Sequence, residues 1–200
     1  MTKLTKERNK VYFYFNKSLN RKVDVVFCYW YHTKDYIEQN NEYYRGIYLF
    51  DFEKENKINI PDFPFAHIQN VNYKGEQTND GSRKAIRLLK TMKADSEEEI
   101  NLSSFHLTTL VHSIDNNELY YDARGKEVLI ANSVSNQLAK MISDPTYRKS
   151  IKSPNGTEMP FQDDSLVSDL IKIKSEIDLL LEDISKELKS PINKRELIIY

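Results

Sequence analysis

The spacing of apolar residues changes part-way along this chain, and that change restricts the fold more than any other feature. Residues 11–15 and 23–29 are β-branched and aromatic runs joined by a polar segment. This pattern is typical of an antiparallel hairpin. A further strand is predicted at 45–50, after which Pro61 and Pro64 end the β region. The first third of the chain is therefore predicted to form a β-sheet.

From residue 79 onward the apolar residues recur at helical spacing. A first helix is predicted behind a cap candidate at Asn79 or Asp80, from four residues: Ala85, Leu88, Leu89 and Met92. Further helices are predicted at 103–113 and 132–143, and a surface loop at 144–160, which holds three prolines. Alternating steps of 3 and 4 mark the last helix: Leu166, Leu170, Ile173, Ile177, Leu180, Ile184 and Leu188. We expect this stripe to dock onto the preceding helices, and a coiled-coil dimer seam is the alternative.

The two patterns together predict an α+β chain, in which a partial mixed or antiparallel sheet is followed by a helical bundle. We place the boundary between a β-rich domain at 1–62 and a helical domain at 63–200. A chain of 200 residues is long enough to bury a core without disulfides or structural metals.

The charge balance excludes a globally basic nucleic-acid coat, because 29 Lys and Arg face 30 Asp and Glu. No apolar run approaches the length of about 20 residues that a membrane-spanning helix needs. The first residues show no signal peptide, and the single cysteine, Cys28, suits a reducing compartment. We therefore expect a cytoplasmic protein without a membrane partner.

Asp24 stands alone among apolar neighbours in the second predicted strand. Aspartate is depleted in strands, and a buried carboxylate is costly unless it is paired or bound to a cation. One interpretation places Asp24 on the solvent face of the hairpin. The other makes it a ligand for a hard cation such as Mg²⁺, which prefers carboxylate oxygens.

The segment 81–94 carries five cations and no acid: Arg83, Lys84, Arg87, Lys90 and Lys93. At helical spacing, Arg83, Arg87 and Lys90 fall on one narrow face. Five cations without an acid indicate an anionic partner such as phosphate. The alternative is a solvated helix face without a specific partner.

Just ahead of the next apolar helix stands Ser103-Ser104-Phe105-His106. Either serine is a good N-cap, and a helix start with a free hydroxyl is suited to bind phosphate. Phe105 has two interpretations, a platform on which a base stacks and a plain core residue.

The order of these features resembles the C-terminal part of the template-free nucleotidyltransferases, which include cyclic GMP-AMP synthase, the oligoadenylate synthases and the bacterial CD-NTases. The resemblance runs from about residue 11 to 188 and rests on an ordered set of segments: Val23-Asp24-Val25-Val26, Arg45-Gly46-Ile47-Tyr48, Pro64-Phe65-Ala66-His67, Thr78-Asn79, Arg83-Lys84-Ala85-Ile86-Arg87-Leu88-Leu89-Lys90 and Ser103-Ser104-Phe105-His106. It implies synthesis of cyclic or linear oligonucleotides from nucleoside triphosphates with Mg²⁺, or Mn²⁺ in its place, in anti-phage or innate-immune signalling.

The resemblance also implies roles for individual residues. Asp24 matches the third acidic residue, which is both catalytic and a metal ligand. Lys90 matches the lysine that contacts the triphosphate, Ser104 the serine beside it, and Phe105 the aromatic that stacks on the base. Arg87 shares the basic face with Lys90 and is assigned to nucleotide binding with it.

The family's Gly-Ser turn and its first two carboxylates have no match here. Glu7 is the one acid before Asp24, while Asp51 and Glu53 have the right spacing but follow the third predicted strand. We therefore expect the chain to be catalytically incomplete alone and to act with a partner chain that carries the N-terminal catalytic half. The alternative hypothesis is a non-catalytic module that binds nucleic acid or a partner protein through the basic helix at 83–93.

Overall fold

The computed structural model describes residues 3–7, 10–14, 22–122 and 125–188, and it describes side chains at 25–122 and 125–187. The chain divides into two compact units, residues 1–69 and residues 70–200. The first unit holds the strands and the second most of the helices. The expected α+β class, a sheet followed by a helical bundle, is confirmed.

Two small antiparallel sheets make up the first unit. The first sheet has the strands β1 (Lys3–Glu7), β2 (Lys10–Tyr14) and β3 (Lys22–Val26) in that order. Its β2–β3 pair is the predicted hairpin, in a register that sets Tyr12 opposite Asp24. The second sheet has the strands β4 (Cys28–His32), β5 (Arg45–Asp51) and β6 (Asn56–Lys57). Between β4 and β5 lie helix α1 (Lys34–Gln39) and a 3₁₀ turn (Glu42–Tyr44).

One face of the second sheet exposes aromatic rings, which we call the aromatic face: Phe27, Tyr29, Phe50 and Phe52. The rings of Phe27 and Phe52 meet edge to face, with their centroids 5.5 Å apart. Even so, Phe27 is 48% exposed and Tyr29 is 53% exposed. A cleft of about 290 Å³ opens between these rings. An exposed aromatic cluster of this kind is typical of a surface that another protein segment covers.

We expect the isolated chain to bind a fluorescent dye for apolar surfaces and to self-associate, because the aromatic face is open to water. Phe27→Lys should lower the dye fluorescence, which a titration at fixed protein concentration measures. Leu179→Lys is the matched control, because Leu179 is 57% exposed but lies on a helix of the second unit. A single monomer peak in size-exclusion chromatography without dye binding would contradict this expectation.

Helices α2 to α8 run from the end of the first unit through the second. Their bounds are α2 (Pro64–Gln77), α3 (Gly81–Asp95), α4 (Ser104–His112), α5 (Asn116–Leu119), α6 (Glu127–Ser143), α7 (Pro145–Ser150) and α8 (Leu166–Leu188). The middle of the α8 stripe packs against α6 and α3, where Leu170, Ile173 and Ile177 are fully buried. This confirms that α8 docks onto the preceding helices. No helix in the described ranges is apolar over a length that could cross a bilayer.

The predicted surface loop at 144–160 is wrong in two respects. Its first part is helix α7, because Pro145 stands at the start of a helix, where proline is tolerated. The segment is also not confined to the surface, since Arg148 is 2% exposed and Ile151 is 5% exposed. The guanidinium of Arg148 donates to the Met141 carbonyl at 3.2 Å and pairs with Asp164.

The predicted cap of α3 is confirmed in its position, whereas its hydrogen bond comes from a different residue. Asp80 is the N-cap residue of α3 by position, but its side chain makes no cap hydrogen bond. The Oγ1 of Thr78 accepts from the Ser82 N–H at 3.0 Å instead. The amide of Asn79 donates to the Tyr121 carbonyl at 2.5 Å, and so holds the segment after α5 against this turn.

Candidate functional site

The five cations of α3 fall into two groups, and three of them are already engaged. Arg83 pairs with Asp80 and donates to the Asn72 carbonyl at 3.2 Å. Lys84 lies 3.8 Å from a carboxylate oxygen of Glu127 and 4.2 Å from the centre of the Tyr121 ring. These contacts, with the one that Lys93 makes to a backbone carbonyl, tie three of the five cationic side chains to other parts of the fold.

Arg87 and Lys90 form the second group. Both side chains are exposed, and within residues 25–122 and 125–187 neither makes a hydrogen bond or an ion pair. They stand three residues apart in the helix and therefore on neighbouring parts of one face. This pair is the part of the basic face that remains open to an anion.

Helix α4 begins with an exposed and well-formed cap. Ser103 is the N-cap, and its hydroxyl accepts from the His106 N–H at 3.2 Å. Ser104 is the first helical residue and is exposed, while Phe105 follows and is half-buried. The N–H groups of a first helical turn carry a partial positive charge, which favours an anion at this position.

Lys93 links the end of α3 to the start of α4. Its ammonium group donates to the Leu102 carbonyl at 2.7 Å, immediately before the cap of α4. Lys90 lies one turn earlier on α3, about 60° from Lys93 around the helix axis. The start of α4, with Ser104, therefore lies beside the last turn of α3, and Lys90 and Arg87 stand one and two turns before that point on the same helix.

The sequence reasoning missed His106. Its Nδ1 accepts from the Ser103 N–H at 3.0 Å, so that a capping box forms with histidine in the place usually held by Glu or Gln. Burial lowers the pKa of His106 below its ordinary 6.5, and the nearby charge of Lys93 lowers it further. The signal was present in the sequence as a serine followed three residues later by a side chain that can accept a hydrogen bond.

The described carboxylates of the first unit are not grouped around a metal centre. Asp24 lies at the middle of β3, and its side chain is outside the described residues. Asp51 is buried, and its Oδ1 accepts from the backbone N–H of Glu53 at 3.0 Å, which makes it part of the β5–β6 turn. Where side chains are described, no three His, Cys, Asp or Glu residues are grouped to hold a metal ion. The described carboxylates thus do not assemble a two-metal site.

Comparisons with known proteins identify relatives of this chain. A family model of the C-terminal helical domain of cGAS/DncV-like nucleotidyltransferases matches residues 69–178. The chain is 32% identical to the cyclic dinucleotide synthase CdnE of Yersinia aleksiciae over 174 residues, 86% of this chain and 45% of that protein. The chain thus spans less than half the length of this curated relative.

Two solved structures share the fold. One is the STING-associated CdnE c-di-GMP synthase from Capnocytophaga granulosa, with a TM-score of 0.78 and 27% identity over 94% of this chain and 58% of that one. The other is the CdnE cyclic dinucleotide synthase from Elizabethkingia meningoseptica, solved with GTP and Apcpp. Its TM-score is 0.60 at 19% identity, over 89% of this chain and 64% of that one.

Proposed function

Because the chain belongs to the cGAS/DncV-like nucleotidyltransferase family, we propose that its helical unit binds the triphosphate of a nucleotide substrate. Lys90 and Arg87 supply the positive charge, Ser104 supplies a hydroxyl at the start of α4, and Phe105 stacks on the base. The chain would serve in the synthesis of a cyclic or linear oligonucleotide messenger, of the kind used in anti-phage defence.

The open pair of cations beside a helix start is the observation that carries this proposal. A triphosphate is compact and multiply charged, so it gains most from a few donors that converge on one point. The Lys90 ammonium, one turn from the contact between α3 and α4, would form such a set with the first N–H groups of α4, and the Arg87 guanidinium would add charge one turn farther away. A solvated helix face without a partner would not need the start of a second helix beside it.

The same contacts favour a nucleotide over a long nucleic acid. A duplex needs cations spread along the interface, because each phosphate that it presents is neutralised separately. On α3, however, Arg83, Lys84 and Lys93 are engaged within the fold. What remains is a short positive patch rather than a stripe.

We propose that Asp24 is one ligand of the catalytic Mg²⁺ or Mn²⁺, and that the other carboxylates come from sequence that this chain does not contain. The metal, when bound, would neutralise charge that develops on the phosphate. The segment with those carboxylates would also cover the aromatic face. Phe27 and Tyr29, each about half exposed, support this assignment because they would gain most from burial.

The test of this proposal is synthesis by the purified chain alone. With ATP, GTP and Mg²⁺ we expect no pyrophosphate release and no oligonucleotide, because a single matched carboxylate does not organise two metal ions. Binding of a fluorescent ATP analogue should nevertheless be detectable. Co-expression with the N-terminal half of a related synthase supplies the missing carboxylates and should restore product formation.

Pyrophosphate release by the chain alone, abolished by Asp24→Asn, would show that the incompleteness argument is wrong. The control variant is Asp95→Asn, because Asp95 is an exposed carboxylate on α3 and has no proposed role. Release that persists in both variants would indicate a contaminating enzyme, and the proposal would then stand.

A further inference from the structure

The start of α4 is held from three directions. From α3, Lys93 donates to the Leu102 carbonyl at 2.7 Å. From within α4, His106 closes the capping box on Ser103. From the segment before α8, the Phe161 ring packs against the His106 ring, with 5.6 Å between their centroids.

His106 takes part in two of these links, through Nδ1 and through the face of its ring. Nδ1 accepts from the Ser103 N–H at 3.0 Å, and the Ser103 hydroxyl lies 2.9 Å from the same nitrogen. A ring nitrogen that accepts from an N–H carries no proton, so the capping box requires the neutral imidazole with its proton on Nε2.

We infer that His106 is a positioning residue for the triphosphate site, which holds Ser104 in place by closing the capping box and by joining the start of α4 to Phe161 in the segment before α8. This inference rests on the proposed binding of a triphosphate at Lys90 and Ser104. The His106 ring does not need to touch the nucleotide. It keeps the first turn of α4 closed, so that the turn's N–H groups and the Ser104 hydroxyl keep their positions.

A pH dependence follows from this geometry. Protonation of Nδ1 would set its N–H against the Ser103 N–H, and this capping bond would be lost even though the Ser103 hydroxyl, 2.9 Å away, could accept from the charged ring. The charged group that faces the ring is Lys93 from α3, and together with the positive end of α4 it opposes protonation. Burial acts in the same direction on the pKa of His106, so the folded value lies below the ordinary 6.5. The neutral, capped form is therefore complete above pH 6.5 and is lost as the pH falls through the lowered pKa.

Two substitutions of His106 test whether it acts by holding the start of α4 in place. His106→Ala removes the acceptor for the Ser103 N–H and should weaken ATP binding about threefold to tenfold, the range that loss of a helix cap spans. His106→Gln supplies an amide oxygen at the usual capping-box position, which accepts the same hydrogen bond and does not titrate. It should bind ATP within about twofold of the parent chain at pH 7.5. Between pH 7.5 and 5.5 the parent should lose affinity relative to His106→Gln, while protonation of the nucleotide affects both equally.

Hydrogen exchange of the Ser103 amide adds a measurement that needs no nucleotide. At pH 5.5 this amide should exchange faster in the parent chain than in His106→Gln, and at pH 7.5 the two should agree. If ATP binding depends on Lys90 but is the same in His106→Ala and the parent, the inference fails and the proposed function stands. If no variant binds ATP, the proposed function fails. Equal protection of Ser103 in the parent and His106→Gln at both pH values would then overturn the His106 cap as well.

Discussion

Lys90→Ala is expected to weaken the binding of ATP or GTP by roughly tenfold to a hundredfold, about 1.5–3 kcal/mol for a charge-assisted hydrogen bond. The reason is that Lys90 is exposed and has no partner among the residues whose side chains are described. Nothing within the fold competes with a phosphate for its ammonium group. Isothermal titration calorimetry or a fluorescent nucleotide analogue, at fixed ionic strength, measures the change.

Arg87→Ala should have a smaller effect, because its open guanidinium lies one turn farther from the start of α4. Arg83→Ala should leave nucleotide binding nearly unchanged, since Arg83 pairs with Asp80 within the fold. Lys152→Ala is the matched control, as Lys152 is an exposed lysine in the segment after α7.

The same variants separate the nucleotide hypothesis from the nucleic-acid hypothesis. If α3 binds duplex, each cation should contribute similarly to the affinity. The slope of the logarithm of the binding constant against the logarithm of the salt concentration should then fall in magnitude by about one for each cation removed. Equal losses on duplex in all three α3 variants, together with no binding of nucleotide, would contradict the proposed site. A loss confined to Lys90 and Arg87 in nucleotide binding would contradict the nucleic-acid hypothesis.

Elements with a strong local signal could be predicted from the sequence. The stripe of α8 was recognisable because seven apolar residues recur at one spacing, and the β2–β3 hairpin because β-branched runs flank a polar segment. Helix α2 was missed, since the region was interpreted through Pro61 and Pro64 as the end of the strands. Pro64 is in fact the first residue of this helix, a position at which its missing N–H costs nothing.

In the candidate site, too, features with a local sequence signal could be predicted and features that depend on the tertiary fold could not. Ser103 could be identified as a cap because its role depends on residues three positions away. Which cations of α3 stay open to a ligand could not be predicted, because Lys84 and Lys93 find partners at Glu127 and Leu102 through the tertiary fold. The contacts of Arg148 could not be predicted either, because its carbonyl and carboxylate partners lie on two other segments.

Gly81 is the position where a single added carbon should damage the helical unit most. It is the first residue of α3, and a Cβ built there would lie 1.6 Å from the Leu119 carbonyl oxygen. That atom belongs to backbone, so a rotamer change cannot relieve the clash. Leu119 is itself fully buried. The segment after it is held against the α2–α3 turn by a hydrogen bond of 3.0 Å from the Tyr121 N–H to the Thr78 carbonyl. Gly81→Ala should therefore destabilise the chain by about 3 kcal/mol, the upper end of what overpacking usually costs.

Gly156→Ala is the control for this prediction, because it changes the same atom without a clash. Gly156 has a φ of +75°, but a Cβ there would meet no atom within 4 Å. The expected cost is about 1 kcal/mol, from the left-handed backbone alone. Urea unfolding followed by circular dichroism at 222 nm should thus show a larger shift of the midpoint for Gly81→Ala than for Gly156→Ala. Equal shifts would mean that the segment at Leu119 does not press on α3, and that the α2–α3 turn is held by its hydrogen bonds rather than by close packing of two backbones.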